Sequence, residues 1–174
     1  RLVCAKHAAN GMGWLTDHGL NLHGSRTKDF NNPHMIGRGP TLAGFRNYAL
    51  NNLGLLLPST KQQRQQLTKP YQVTFSILSS KDNDRRFDFK AQVNALKKAL
   101  HNDALVRIES IAMWNYTFRE QVEIATQSSI FVSVGGGGTS PAFFLPKGAS
   151  LIVYGRDGER FDWDLWGNFA SLRV

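Results

Sequence analysis

The sequence has almost no sulfur with which to hold itself together. Cys4 is its one cysteine, so no disulfide can close within the 174-residue chain and no cluster of thiolates can bind a metal. It reads as a small buried hydrophobe. Long apolar runs are missing too: none approaches the ~18–20 residues that cross a bilayer. No signal peptide is visible. The first residue is Arg1, so the chain reads as an excised piece, with any membrane anchor or targeting segment expected upstream. Internal repeats and long low-complexity stretches are absent, as are H-E-x-x-H, the G-x-S-x-G elbow and the Walker sequence. His7, His18, His23, His34 and His101 show no metal-ligand spacing.

Charge of one sign is present in excess but never in a block. The formal net charge of +8 argues for an anionic ligand. The cations are dispersed in small groups, Lys61 with Arg64, Arg85 with Arg86, Lys97 with Lys98. A nucleic-acid binder concentrates them on one face and interleaves aromatics, so no nucleic-acid partner is expected. What remains is ordinary: 41% hydrophobic and 20% charged residues suit one globular domain, with or without the tail of another.

The first forty residues are rich in Gly, Asn and His and read as loops, with a short strand at Leu2–Ala5. Helix is expected from Leu42 to Leu53, capped by Thr41, striped by Leu42, Phe45, Ala49 and Leu53, and ended by Gly54. Lys61–Gln66 is polar and reads as an exposed helix or linker. A regular alternation follows. Strands are expected at Gln72–Leu78, Ala104–Glu109, Ser129–Val134 and Ser150–Tyr154. Between the first two lies a helical face of Phe89, Val93, Leu96 and Leu100, capped by Asp88. Thr117-Phe118-Arg119-Glu120 has the spacing of a capping box. This order implies an α/β fold, a Rossmann-like parallel sheet with helices on both faces. Such sheets bind ligands beyond the carboxyl ends of their strands.

That end carries the densest chemistry. Gly135-Gly136-Gly137-Gly138 follows a strand directly, and four glycines cost backbone entropy. Without side chains their amides can approach a diphosphate closely. The helical turn expected after them, with Ser140 as cap and Pro141 at its first position, adds a positive dipole end. The run does not match G-x-G-x-x-G. Arg85 and Arg86, in the loop after the first of the four regular strands, are expected on the same rim, where one can grip a phosphate in two places. Glu120 serves as a capping residue, or with Gln121 reaches a ribose or sugar hydroxyl.

Read in order, several segments are similar to glycosyltransferase family 61. They are Arg85-Arg86, Phe118-Arg119-Glu120-Gln121-Val122-Glu123-Ile124, Gly135–Ser140 and Phe144-Leu145-Pro146-Lys147-Gly148-Ala149. Val3-Cys4 with Gly11-Met12-Gly13, and Gly44-Phe45-Arg46-Asn47-Tyr48, resemble upstream parts of the family. Gly135 stands where the family has histidine and Thr139 where it has leucine, and the asparagine of its arginine segment is not evident at Asp88.

The resemblance implies the C-terminal, donor-binding half of a two-domain GT-B enzyme. Residues 61–174 would be the nucleotide-sugar-binding domain, and residues 1–60 an interdomain segment or tail of the N-terminal domain. The implied reaction is an inverting transfer from a nucleotide diphosphate donor, a UDP-sugar first among them, to a glycan or protein hydroxyl. Gly135, Gly136, Gly138, Thr139 and Ser140 would hold the diphosphate, Arg85 or Arg86 would neutralise the leaving nucleotide, and Glu120 or Gln121 would position the donor. No base is assigned and no metal cofactor is implied. The triplets Asp82–Asp84 and Asp162–Asp164 resemble a metal signature of another glycosyltransferase fold, but three-residue patterns arise easily by chance. The implied compartment is the lumen of the Golgi or endoplasmic reticulum, where Asn115-Tyr116-Thr117 would be a glycan acceptor. The departure at Gly135 motivates a second reading, a catalytically inactive module that binds nucleotide sugar or glycan.

Overall fold

The computed structural model describes residues 39–55, 70–77, 87–100, 103–154 and Trp166, and for residues 39–42 the backbone alone. The expected strand at Leu2–Ala5, the segment Lys61–Gln66, the five histidines and both D-x-D triplets lie outside the described residues. What is described runs α1 (Gly39–Asn52), β1 (Tyr71–Ile77), α2 (Lys90–Leu100), β2 (Val106–Ala112), α3 (Phe118–Gln127), β3 (Ser128–Val134) and β4 (Ser150–Tyr154). A 3₁₀ turn, Met113–Asn115, precedes α3, and a longer 3₁₀ segment, Gly137–Phe144, joins β3 to β4. No described helix is long and apolar enough to cross a membrane.

The strands form one parallel sheet in the order β2-β1-β3-β4. The chain steps outward from β1 to β2, then returns past β1 to lay down β3 and β4. Each step is bridged on a different face. Val93 of α2 packs with Val73, Phe75 and Val132 on one face. Val122 and Ala125 of α3 pack with Phe131 and Leu151 on the other. Val132 and Phe131 are neighbours in sequence, so the period of two in a strand assigns them to opposite faces. The α/β parallel sheet expected from the sequence is thus present, covered on both sides.

The elements start and stop for local reasons. Thr117 and Glu120 form the capping box at α3: the Thr117 amide donates to Glu120 Oε2 at 2.7 Å and the Thr117 hydroxyl accepts from the Glu120 amide at 3.4 Å. Gly54, at φ 66, ends α1 in a Schellman turn. Its amide reaches the Asn51 carbonyl at 3.0 Å, and the Leu55 amide reaches the Leu50 carbonyl at 2.8 Å. Asp88 accepts from the Lys90 amide at 3.0 Å at the start of α2. Between them Phe89 is held at φ 51, a conformation that costs a bulky residue about 1–3 kcal/mol.

Two local expectations are corrected. Helix α1 begins at Gly39, with Pro40 early and Thr41 inside it, because proline's preset φ suits a first turn. Its buried face is the expected one only in part: Ala49 and Leu53 pack against the core as expected. Arg46 and Leu50 are buried whereas Phe45 is 47% exposed, since α1 docks through Leu50 against the aromatic 3₁₀ segment. That docking places Leu50 in the cluster shared by α3, the 3₁₀ segment, β3 and β4.

Candidate functional site

The sheet's direction of growth reverses beside β1, so the crevice between the carboxyl ends of β1 and β3 is the topological switch point, where open α/β sheets bind ligands. The glycine loop lies there. Gly135 continues the ladder, its amide donating to the Tyr154 carbonyl at 2.9 Å. Gly136 then turns the chain with φ 109 and ψ −157, a region open in practice to glycine alone. The 3₁₀ segment therefore starts at Gly137, with Gly136 as its cap. This corrects the expected cap at Ser140: the chain is already helical before Pro141, which falls inside the segment. Bonding within the segment opens with the Thr139 amide on the Gly136 carbonyl at 3.0 Å. The amides of Gly137 and Gly138 come before that first i→i−3 bond, and no segment carbonyl lies behind them to receive it.

Buried hydroxyls hold the loop from beneath. Ser76, at the end of β1, donates to the Gly138 carbonyl at 3.1 Å. Thr139 is fully buried, and its hydroxyl donates to the Val134 carbonyl at 2.9 Å with Ser133 Oγ at 3.3 Å. Expected to meet the ligand, the Thr139 side chain instead fastens the loop to β3. Gly138 is buried as well, while Gly137 and Ser140 are exposed and Gly135 and Gly136 are half-buried. A Cβ built on Gly137 meets nothing within 4 Å, so neither packing nor a positive φ requires glycine there.

Glu120 and Gln121 stand on the first turn of α3, a helix that packs beside the 3₁₀ segment, with Phe118 edge-on to Phe144 at 5.9 Å. Their polar atoms serve that helix. Glu120 accepts from both the hydroxyl and the amide of Thr117, each at 2.7 Å, and these bonds, the side-chain one first, hold its carboxyl below the usual range. Gln121 Nε2 donates to the carbonyls of Met113 at 2.9 Å and Tyr116 at 3.0 Å. Both residues brace the start of α3. Arg85 and Arg86 lie outside the described residues.

Sequence reasoning missed Arg46 as a site-bracing residue. Only 8% exposed, it donates to the Phe144 carbonyl at 3.2 Å and to Asn47 Oδ1 at 3.1 Å. Burial alone pushes its guanidinium below the ordinary range, and its Nε has no partner. It thus puts positive charge behind the far end of the segment whose near end is the glycine loop. Ser76 and Ser133 were missed too. The signal for Ser76 was present in Gln72-Val73-Thr74-Phe75-Ser76-Ile77, where a central strand alternates polar with apolar residues. Such alternation ordinarily means a wet face. Here that polar face is buried beneath the loop and α3, with Thr74 and Ser128 hydroxyls paired at 2.7 Å.

Among the described residues no group of three His, Cys, Asp or Glu side chains could hold a metal ion. The arrangement offers backbone amides at a rigid, glycine-lined rim, which suits a polyanion. No protein-family model matches the chain, and no curated protein matches it.

Proposed function

We propose that this chain is the donor-binding half of a glycosyltransferase similar to family 61, with a GT-B architecture completed by a second, acceptor-binding domain. It moves a sugar, with inversion, from a nucleotide diphosphate donor, foremost a UDP-sugar, to a glycan or protein hydroxyl. The observation that carries the reading is Gly137. It lies at the switch point in the helix-opening position, exposed, with an ordinary φ and open space where a side chain would go. A glycine that the fold does not need leaves its amide open to an external ligand, and a diphosphate is what a run of such amides accommodates. In the proposed step the amide of Gly137 and the Ser140 hydroxyl, both on exposed residues, hold the diphosphate. They stabilise the charge that grows on it as the glycosidic bond breaks. Arg85 or Arg86 adds a cation to the leaving nucleotide, and the compartment is the secretory lumen.

A second reading is favoured by one feature. Gly135, where family 61 has histidine, supplies only backbone, and its amide is bonded to Tyr154. The Glu120 carboxylate is occupied in a cap. A module that binds a nucleotide sugar without turning it over fits those facts, and turnover assays with the full-length protein separate the two.

The first test is calorimetric titration with UDP, GDP and ADP, on the wild type and on Gly137→Ala. The variant is expected to melt as the wild type does and to bind UDP about tenfold more weakly, a loss of ~1.4 kcal/mol. Unchanged affinity, or no nucleotide bound by the folded chain, sinks the diphosphate reading.

A further inference from the structure

The carboxyl-end rim carries a second feature beside the glycine loop. Phe87, just before α2, and Tyr154, the last residue of β4, have ring centroids 6.0 Å apart and planes inclined by 25°. They are 41% and 40% exposed, a large apolar surface to leave in water. Both rings are braced from below. Phe89, with no exposed surface, meets them edge-on at 4.6 and 5.2 Å and packs on Phe75 of β1 at 5.5 Å. The left-handed backbone of Phe89 allows that brace, and a strained conformation of this kind persists only where its surroundings over-determine it. The result is a rigid aromatic ladder that climbs from the core to the rim and ends in two near-parallel rings.

Its position is tied to the loop. Tyr154 pairs with Val134 across β3 and β4, and its carbonyl receives the Gly135 amide. The platform therefore begins about one strand spacing, ~4.8 Å, from the first glycine. An exposed stack of rings adjoining amides suited to a diphosphate fits a ligand with a flat π-system joined by a short linker to phosphates. That is the shape of a nucleoside diphosphate. Aromatic side chains hold bases by face-to-face stacking, whichever base it is.

Resting on the diphosphate reading above, we propose that Phe87 and Tyr154 form the nucleobase platform of this site. The chain then recognises its ligand as a nucleoside diphosphate, by base as well as by phosphate. Stacking supplies affinity for any base; selection among bases falls to groups at the base edge.

The experiment is titration of the whole chain with UDP, ADP and inorganic pyrophosphate, for wild type, Phe87→Leu, Tyr154→Leu and Tyr154→Phe. Each leucine variant is expected to weaken both nucleotides by roughly 5- to 150-fold and to leave pyrophosphate affinity unchanged, while Tyr154→Phe keeps wild-type binding. Leucine variants that melt like wild type and still bind nucleotide at full strength overturn the platform and leave the loop reading intact. A folded wild type that binds neither nucleotide nor pyrophosphate overturns both. Saturation-transfer NMR on the wild type needs no variant. Irradiating aromatic protein protons is expected to saturate the base protons of UDP most strongly, and a ribose-dominated pattern counts against the platform.

Discussion

At the scale of single residues, burial separates groups that the sequence presents as equals. Arg46 and Arg119 both donate to backbone carbonyls, Arg119 to Leu53 at the end of α1, yet only Arg46 is buried. Its charge is desolvated with no carboxylate paired to it among the described residues, whereas a buried methylene stem contributes through packing. Both changes remove the donor to the Phe144 carbonyl, but an apolar residue of similar length refills the space, whereas truncation also leaves a cavity. Arg46→Met is therefore expected to fall within about 1 kcal/mol of the wild type, and Arg46→Ala about 2–4 kcal/mol below it. Urea denaturation measures both. Equal losses would mean that the charge itself, not the stem, does the stabilising.

At the scale of elements, three of the caps were legible in the sequence because each involves residues within five positions of one another. Thr117 and Glu120 were expected as a capping box and form one, Gly54 was expected to end α1 and does, and Asp88 was expected at the start of α2. The α3 cap also sets a pH dependence. Glu120 has a lowered pKa in the folded chain, so its contribution is fully present above the ordinary carboxylate pKa. It disappears as pH falls through the folded value. Gln at this position still completes a capping box but has nothing to titrate. Glu120→Gln should thus be less stable than wild type at neutral pH, with the gap closing as pH falls below the ordinary carboxylate range. Chemical denaturation followed across that range would reveal a constant gap if the carboxylate's charge were irrelevant. The face that α1 buries was legible only in part: Ala49 and Leu53 pack as expected, whereas nothing local shows that Arg46 and Leu50 are buried and Phe45 is exposed.

At the scale of the whole molecule, one core extends from α1 through α3 and the 3₁₀ segment to β3 and β4. Phe131, fully buried, shares it with Leu50, Leu145, Leu151 and Trp166. Phe131→Ala is expected to cost about 3–5 kcal/mol. Because Leu50 belongs to the same cluster, the amides of α1 and of the sheet should lose protection together in native-state hydrogen exchange. If α1 exchanged independently, it would belong to a separate unit, as its place in the sequence first indicated.

The sequence by itself determined the elements, the capping box of α3, the Gly54 stop and the all-parallel sheet, because helix and strand periods, capping spacings and connection lengths are all local quantities. It also marked the glycine run at a strand's carboxyl end. Only the tertiary structure decided the order β2-β1-β3-β4, which turns that strand end into a switch-point crevice. The fold alone showed that Thr139 fastens the loop while Gly137 is bare, and that Phe87 and Tyr154, 67 positions apart in the sequence, stack beside it. The physical reason is that strand order and burial are set by contacts between residues distant in the chain. A side chain turns inward or outward according to what the rest of the molecule brings against it.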